Sequence, residues 1–174
     1  MEKHFDYRIV ETELEDLPFV FSLFDQAIIY QKNKGFPAWP SYDRAGLKED
    51  ILLERQFKII QGADIACIFT ITRKDAVVWR ERDQGDALYL HRVVVNPVFK
   101  GNRLFGFIME WAIRKAADLG LEFLRMDTWG DNPNLISYYQ EFGFQIIEYW
   151  QTPNTAALPI QQRGNKVVLL EYSL

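Results

Sequence analysis

The chain has 174 residues, of which 48% are hydrophobic, 25% charged and 15% aromatic, enough apolar material for one domain with a real core. A formal net charge of -4 offers no basic face to a nucleic-acid partner, and the lone Cys67 excludes an intrachain disulfide. No window approaches the ~18 apolar residues of a membrane span, and the N-terminal stretch has no apolar signal core, so the expected setting is the cytoplasm, with no membrane partner.

Residues 5–10 alternate briefly and predict a first strand. Thr12 and Glu15 have capping-box spacing. Leu14, Leu17, Phe21, Phe24, Ile28 and Ile29 then recur at helical spacing until Lys34 and Gly35. Residues 35–41 hold Phe36, Trp39 and two prolines, and read as an ordered aromatic loop. A second helix is predicted over residues 44–56, with Leu47, Ile51, Leu52 and Arg55 turned inward. Residues 57–60 and 64–71 read as strands joined by Gln61, Gly62 and Ala63, a hairpin signal. The charged stretch 73–86, with Val77, Val78 and Trp79 embedded, reads as a loop or a short helix.

Residues 87–95 form the central apolar strand, and Pro97 ends its pairing. A helix follows over 105–119 and stops at Gly120; residues 122–129 are the next strand. Asn132 and Pro133 open another helix, whose stripe is Leu135, Tyr138, Tyr139 and Phe142 and whose stop is Gly143. A strand over 144–151, a polar excursion over 152–165 and a last strand over 166–173 complete the chain. This order predicts an α/β (α+β) fold with a central mixed, mostly antiparallel sheet flanked by helices, in a single domain over residues 1–174.

The stretch LYLHRVVVNPVFKGNRLFG, residues 88–106, is a strand, a turn and a helix start. Successive N–H groups in such a turn, with the positive end of the helix, can cradle an anion, and Lys100 and Arg103 add charge. It is neither GxxxxGK[ST] nor GxGxxG, and a solvated surface turn is the alternative. Two histidines, His4 and His91, do not make a histidine-rich metal site, so no metal is expected.

Val95, Asn96 and Pro97, followed by Lys100 and Gly101, resemble the V-x-P strand end and the (Q/R)-x-x-G-x-(G/A) loop of the GNAT superfamily of acyl-CoA-dependent N-acetyltransferases. The segment NPNLISYYQEFGF, from Asn132 to Phe144, is similar to that family's N-x-x-a-x-x-x-Y-e-k-x-G-F. LHRVVVNP, WAIRKAADLG and LRMDTWGDNP resemble one bacterial branch of it. One departure stands out: Arg103 and Phe105 fill the family's two small positions, and Gly106 comes one residue too late for either.

The resemblance implies a GNAT-like fold with acetyl-CoA as cofactor. It implies transfer of an acetyl group to a primary amine by direct attack in a ternary complex, with an oxyanion held by backbone N–H groups. Tyr139 falls at the family's general-acid position, and an ordinary phenol pKa near 10 suits a proton donor to sulfur. Tyr138 points about 100° away around a helix and is the lesser candidate. The backbone edge of Val93, Val94 and Val95 would pair with the pantetheine amides like an added strand. Lys100, Gly101, Asn102, Arg103, Leu104, Phe105 and Gly106 would hold the pyrophosphate. Asn132 and Asn134 would touch the cofactor, with a helix N-cap as the alternative role.

His91 is a candidate base and Arg92, its neighbour in the strand, faces the opposite side; a half-buried structural histidine is the alternative. Asp127 and Glu81 are further candidate bases. Trp39 and Trp129 are the candidate acceptor-side residues, with Trp79, Phe36 and Tyr42 behind them and plain packing as the rival role. The expected partner is a small-molecule or peptide amine, and a homodimer through the aromatic surface stays open. Two rival readings remain: a non-catalytic or altered acyl-CoA-binding protein, favoured by the bulk of Arg103 and Phe105, and an interaction protein keeping only the fold. An open V-shaped gap beside the central strand favours cofactor use, and a filled gap favours the interaction protein.

Overall fold

The computed structural model describes residues 6–174; His4, and Phe5 of the expected first strand, lie outside the described residues. Seven strands, β1 (Tyr7–Glu11), β2 (Gln56–Gln61), β3 (Asp64–Thr72), β4 (Ala87–Val95), β5 (Phe123–Trp129), β6 (Gln145–Gln151) and β7 (Lys166–Ser173), form one sheet. Its spatial order is β1-β2-β3-β4-β5-β7-β6. Every neighbouring pair is antiparallel except β4 and β5, which run parallel. The helices are α1 (Leu17–Asn33), α2 (Arg44–Leu52), α3 (Ala76–Trp79), α4 (Phe105–Asp118) and α5 (Pro133–Gln140). A parallel pair needs a crossover, and α4 supplies it between β4 and β5.

The layers follow from side-chain alternation. Ile68 packs with Val20, Leu23, Phe24 and Leu47 of α1 and α2, while its neighbour Phe69 packs with Phe105, Ile108, Ala112 and Tyr139 of α4 and α5. No helix among the described residues is long and apolar enough to cross a membrane.

Several local expectations give way to tertiary contacts. The capping box is Glu13 with Asp16 rather than Thr12 with Glu15. Lys58 reaches Asp16 at 2.5 Å, and the Thr12 N–H donates instead to the Gln56 carbonyl at 3.0 Å, continuing the strand contact. In α1 the buried stripe is Val20, Leu23 and Phe24, whereas Leu14 and Ile29 are exposed. The second helix stops at Leu52, because Glu54 turns left-handed at φ 55°. Leu52 is exposed, and Asp50 takes the inner position, paired with Arg92 and Arg55. The charged stretch folds as α3 and a 3-10 turn at Arg80–Arg82, and Trp79 is wholly buried with Tyr89, Leu158 and Val167. Trp79 is therefore a core residue and not a pocket wall.

Two features of β4 position the site. Ile68 pairs with Val94 and Thr70 with His91, so Arg92 and Val93 together oppose Phe69. This is a β-bulge, with Arg92 left-handed at φ 52°. Before it Leu88 and Leu90 face α4; after it Val94 faces α1 and α2. The strict alternation expected of His91 and Arg92 breaks here, and both border the same small cavity. The second feature is a splay. β4 pairs with β5 only over Ala87–Tyr89, against Phe123–Arg125, so the edge from Leu90 to Val95 is open on the β5 side.

Candidate active site

A cavity of about 560 Å³ fills the splay. Its walls bring together Val93, Val94, Val95, Lys100, Gly101, Asn102, Arg103, Leu104, Phe105, Asn132, Asn134 and Tyr139, with Phe36, Trp39 and Trp129 on the acceptor side. Gly106 lies past the wall: a Cβ there would meet the Phe142 ring at 3.6 Å. The gap is open rather than filled, and a free strand edge inside it can take an extended amide chain as a further strand would.

Beyond the edge the chain turns at Pro97–Phe99, and Asn96 closes that turn by accepting from the Val98 N–H at 3.2 Å. Gly101 has φ 88° and nothing within 4 Å of where a Cβ would stand. No side chain caps the N-terminus of α4, where Leu104 and Phe105 border the cavity and the Gly106 and Phe107 N–H groups donate to the Arg103 and Leu104 carbonyls at 2.9 and 3.1 Å. Lys100 is held over the Tyr30 ring, with Nζ donating to its hydroxyl at 2.5 Å.

The two bulky loop residues do not close this cradle. Arg103, left-handed at φ 50°, turns its exposed guanidinium to Glu141 at 3.1 Å. Phe105 is buried against Tyr139, Phe142 and Tyr138. The residues present therefore fit a chain of amides ending in a phosphate-like anion.

Tyr139 is buried on α5, edge-on to Phe105 at 4.8 Å between ring centres. Burial first, then the charges of Tyr138, Cys67 and Asp127, push its phenol pKa well up, so it keeps its proton. Asn132 caps α5, its Oδ1 accepting from the Leu135 N–H at 3.1 Å, while still bordering the cavity. Tyr42 is buried under α1 and bonded to Asp25 at 2.9 Å. Glu81 is exposed, beside Arg82.

His91 sits outside the main cavity, with Nε2 2.9 Å from the Thr72 hydroxyl. Burial, reinforced by Arg92 and Arg55, holds its ring pKa down to about 3, so it takes no proton from an ammonium at neutral pH. Ligand-type atoms of His91, Asp75 and Asp127 lie within 4.8 Å of one another. Burial pushes Asp127 up to about 6, and burial with the neighbouring Asp127 pushes Asp75 up to about 8. Asp127, His91, Trp39 and Trp129 border a second cavity of about 90 Å³. Asp75 and Gln161, which complete this region, come from the charged stretch and the polar excursion, and nothing local in either stretch marks them.

A mixed sheet whose parallel pair splays over a groove lined by a free strand edge, a buried phenol and the start of α4 is the arrangement that the resemblance to acyl-CoA acyltransferases leads one to expect. The acetyltransferase (GNAT) family pattern matches residues 65–144, which hold β4, α4, β5 and α5. An uncharacterized N-acetyltransferase of Bacillus subtilis, YesJ, is 27% identical over 78 residues, 42% of this chain and 41% of that protein. The chain thus matches less than half the length of this curated relative.

A GNAT-family acetyltransferase from Listeria monocytogenes superposes over 97% of this chain and 95% of its own, with a TM-score of 0.77 at 19% identity. The ribosomal-protein-S18-alanine N-acetyltransferase of Escherichia coli covers 96% and 93%, at 0.67 and 16%. The yncA protein of Salmonella typhimurium, solved with its cofactor acetyl-CoA, covers 97% and 94%, at 0.65 and 15%. The chain thus shares the fold of these acetyltransferases and carries the GNAT pattern over residues 65–144.

Proposed function

We propose that this chain is a single-domain N-acetyltransferase that moves an acetyl group from acetyl-CoA to a primary amine in a ternary complex. The observation that carries the reading is the open edge of β4, lying in one cavity with the buried phenol of Tyr139. Acetyl-CoA supplies the thioester whose C–S bond breaks as the N–C bond forms. Backbone groups of Val93, Val94 and Val95 orient the amide arm. The loop from Lys100 to Phe105 and the start of α4 hold the anionic end. Trp39, Trp129 and Phe36 exclude water around the acceptor.

Asp127, deprotonated at neutral pH, takes one proton from the acceptor ammonium and frees its lone pair. Tyr139 holds at its phenol oxygen the proton that the departing sulfur takes. The surplus proton on the new amide nitrogen and the one on Asp127 leave to solvent, from which Tyr139 is recharged. Overall an ammonium and a thioester give an amide, a thiol and one proton. The setting consistent with this chemistry is the cytoplasm, where the donor is made and Cys67 stays reduced.

The non-catalytic alternative rested on the bulk of Arg103 and Phe105; against it stand the pairing of Arg103 with Glu141, the packing of Phe105 on Tyr139 and Phe142, and a cavity that stays open beside both. Calorimetry tests the reading: acetyl-CoA binds with a micromolar Kd. Absence of heat and of any thermal shift up to millimolar ligand refutes it.

A further inference from the structure

We propose that the small cavity beside Asp127 is the acceptor subsite, and that it takes a compact primary amine carrying an oxygen acceptor, with the ammonium on Asp127 and the oxygen on Gln161 Nε2. The proposal deepens the acetyl-transfer reading and rests on it.

Position comes first. Trp39 and Trp129 border both cavities, so the two spaces share walls. Asp127 is near enough to Tyr139 for its charge to act on the phenol. An amine on Asp127 therefore lies in a space that shares Trp39 and Trp129 with the cavity holding Tyr139.

Charge comes second. The cation in the wall, Arg92, is bound to the buried Asp50. No ion pair joins Asp127 or Asp75 to a cation among the described residues, and one oxygen of Asp75, Oδ2, is buried without a partner. His91, spent on Thr72, brings no charge. The cluster lacks a positive group, and two indole side chains, of Trp39 and Trp129, border the space where one would sit.

Gln161 is the independent observation. It is 1% exposed and borders the cavity. Its Oε1 accepts from the Asp43 N–H at 3.2 Å, but its Nε2 has no partner. Arg92 Nε, in the same wall, is also unpaired. Native interiors leave few donors unpaired, because each costs the desolvation of the group. A ligand oxygen is the partner both donors lack. The cavity volume, about 90 Å³, limits the ligand to a few heavy atoms and excludes a peptide or a polyamine chain from this space.

The test is calorimetry on the whole protein with three probes: n-propylamine, ethanolamine and β-alanine. At least one oxygen-bearing amine binds about tenfold more tightly than n-propylamine. Asp127→Asn weakens all three by about tenfold or more. Gln161→Glu keeps the acceptor for Asp43 and removes the donor; it shrinks the oxygen advantage below about twofold, and Gln161→Met does the same.

Circular dichroism establishes that each variant is folded. Equal affinities for the three probes, or affinities unchanged in Asp127→Asn, overturn the proposal. So does acetylation of spermidine or a peptide N-terminus with no binding of the small amines, or Zn²⁺ taken up at the cluster in their place. Because the amines are titrated without donor, a failure of acetyl-CoA to bind refutes the acetyl-transfer reading separately.

Discussion

Replacing Tyr139 with phenylalanine removes one oxygen and keeps the ring, which packs against Phe105 at 4.8 Å and Tyr138 at 5.5 Å between ring centres. The variant should fold with a stability within about 1 kcal/mol of the parent, because the apolar contacts persist. A positioned general acid contributes roughly 10²–10⁴ in rate, or about 3–5 kcal/mol of barrier. The expected result is a kcat lower by about that factor, with the acetyl-CoA Kd changed less than about twofold. Thiol release with a saturating amine gives the first quantity and calorimetry the second. The pH profile sharpens the test. Tyr139 is active when protonated and its pKa is raised, so no alkaline loss of kcat occurs below about pH 10. Asp127 is active when deprotonated, so the rate climbs as pH rises through about 6. An unchanged kcat in Tyr139→Phe, or an equal loss in acetyl-CoA affinity, refutes Tyr139 as the acid.

Asp75 has a folded pKa raised to about 8, so its protonated form is favoured in the fold; the stability it allows is complete below about pH 4 and is lost as pH rises through 8. Asp75→Asn should therefore melt higher than the parent at pH 8 and level with it at pH 4, read by thermal scans across that range. Phe105→Ala should cost roughly 3–5 kcal/mol in a urea titration, as a buried ring in the core does, while the acetyl-CoA Kd stays within about threefold. Arg125 is buried and donates to Glu171 at 2.7 Å, Asp86 at 2.9 Å and the Arg82 carbonyl at 2.7 Å. Arg125→Met leaves those carboxylates unpaired and should lower stability by about 3–5 kcal/mol, seen as a fall in the denaturation midpoint.

The elements that read clearly from the residues are those whose ends are chemical stops. β4 and β7 match their expected spans, and α4 and α5 start at Phe105 and Pro133 because Pro97, Gly120, Pro133 and Gly143 punctuate the apolar runs. Where a choice between neighbours is settled across the fold, the residues alone do not decide it. Lys58, from β2, selects Asp16 over Glu15 at the start of the first helix. Trp79 and Trp129 look alike in composition, yet one closes a core and the other borders both cavities. The loop and the Tyr139 helix of the candidate site were legible because their spacing is local. Asp75 and Gln161 were not: Asp75 comes close to Asp127, and Gln161 borders the same small cavity, each from a distant polar stretch through packing that no local periodicity records.

The extra residue in β4 has a consequence for how this strand tolerates change. A strand carries its inside and outside in the parity of its numbering, and the extra residue at Arg92 inverts that parity midway. Even-numbered positions belong to the α4 layer before it and to the α1 layer after it. Substitutions along β4 therefore act one position at a time, whereas deleting a single residue at 92 would exchange the layers of every side chain from Val93 to Val95 at once.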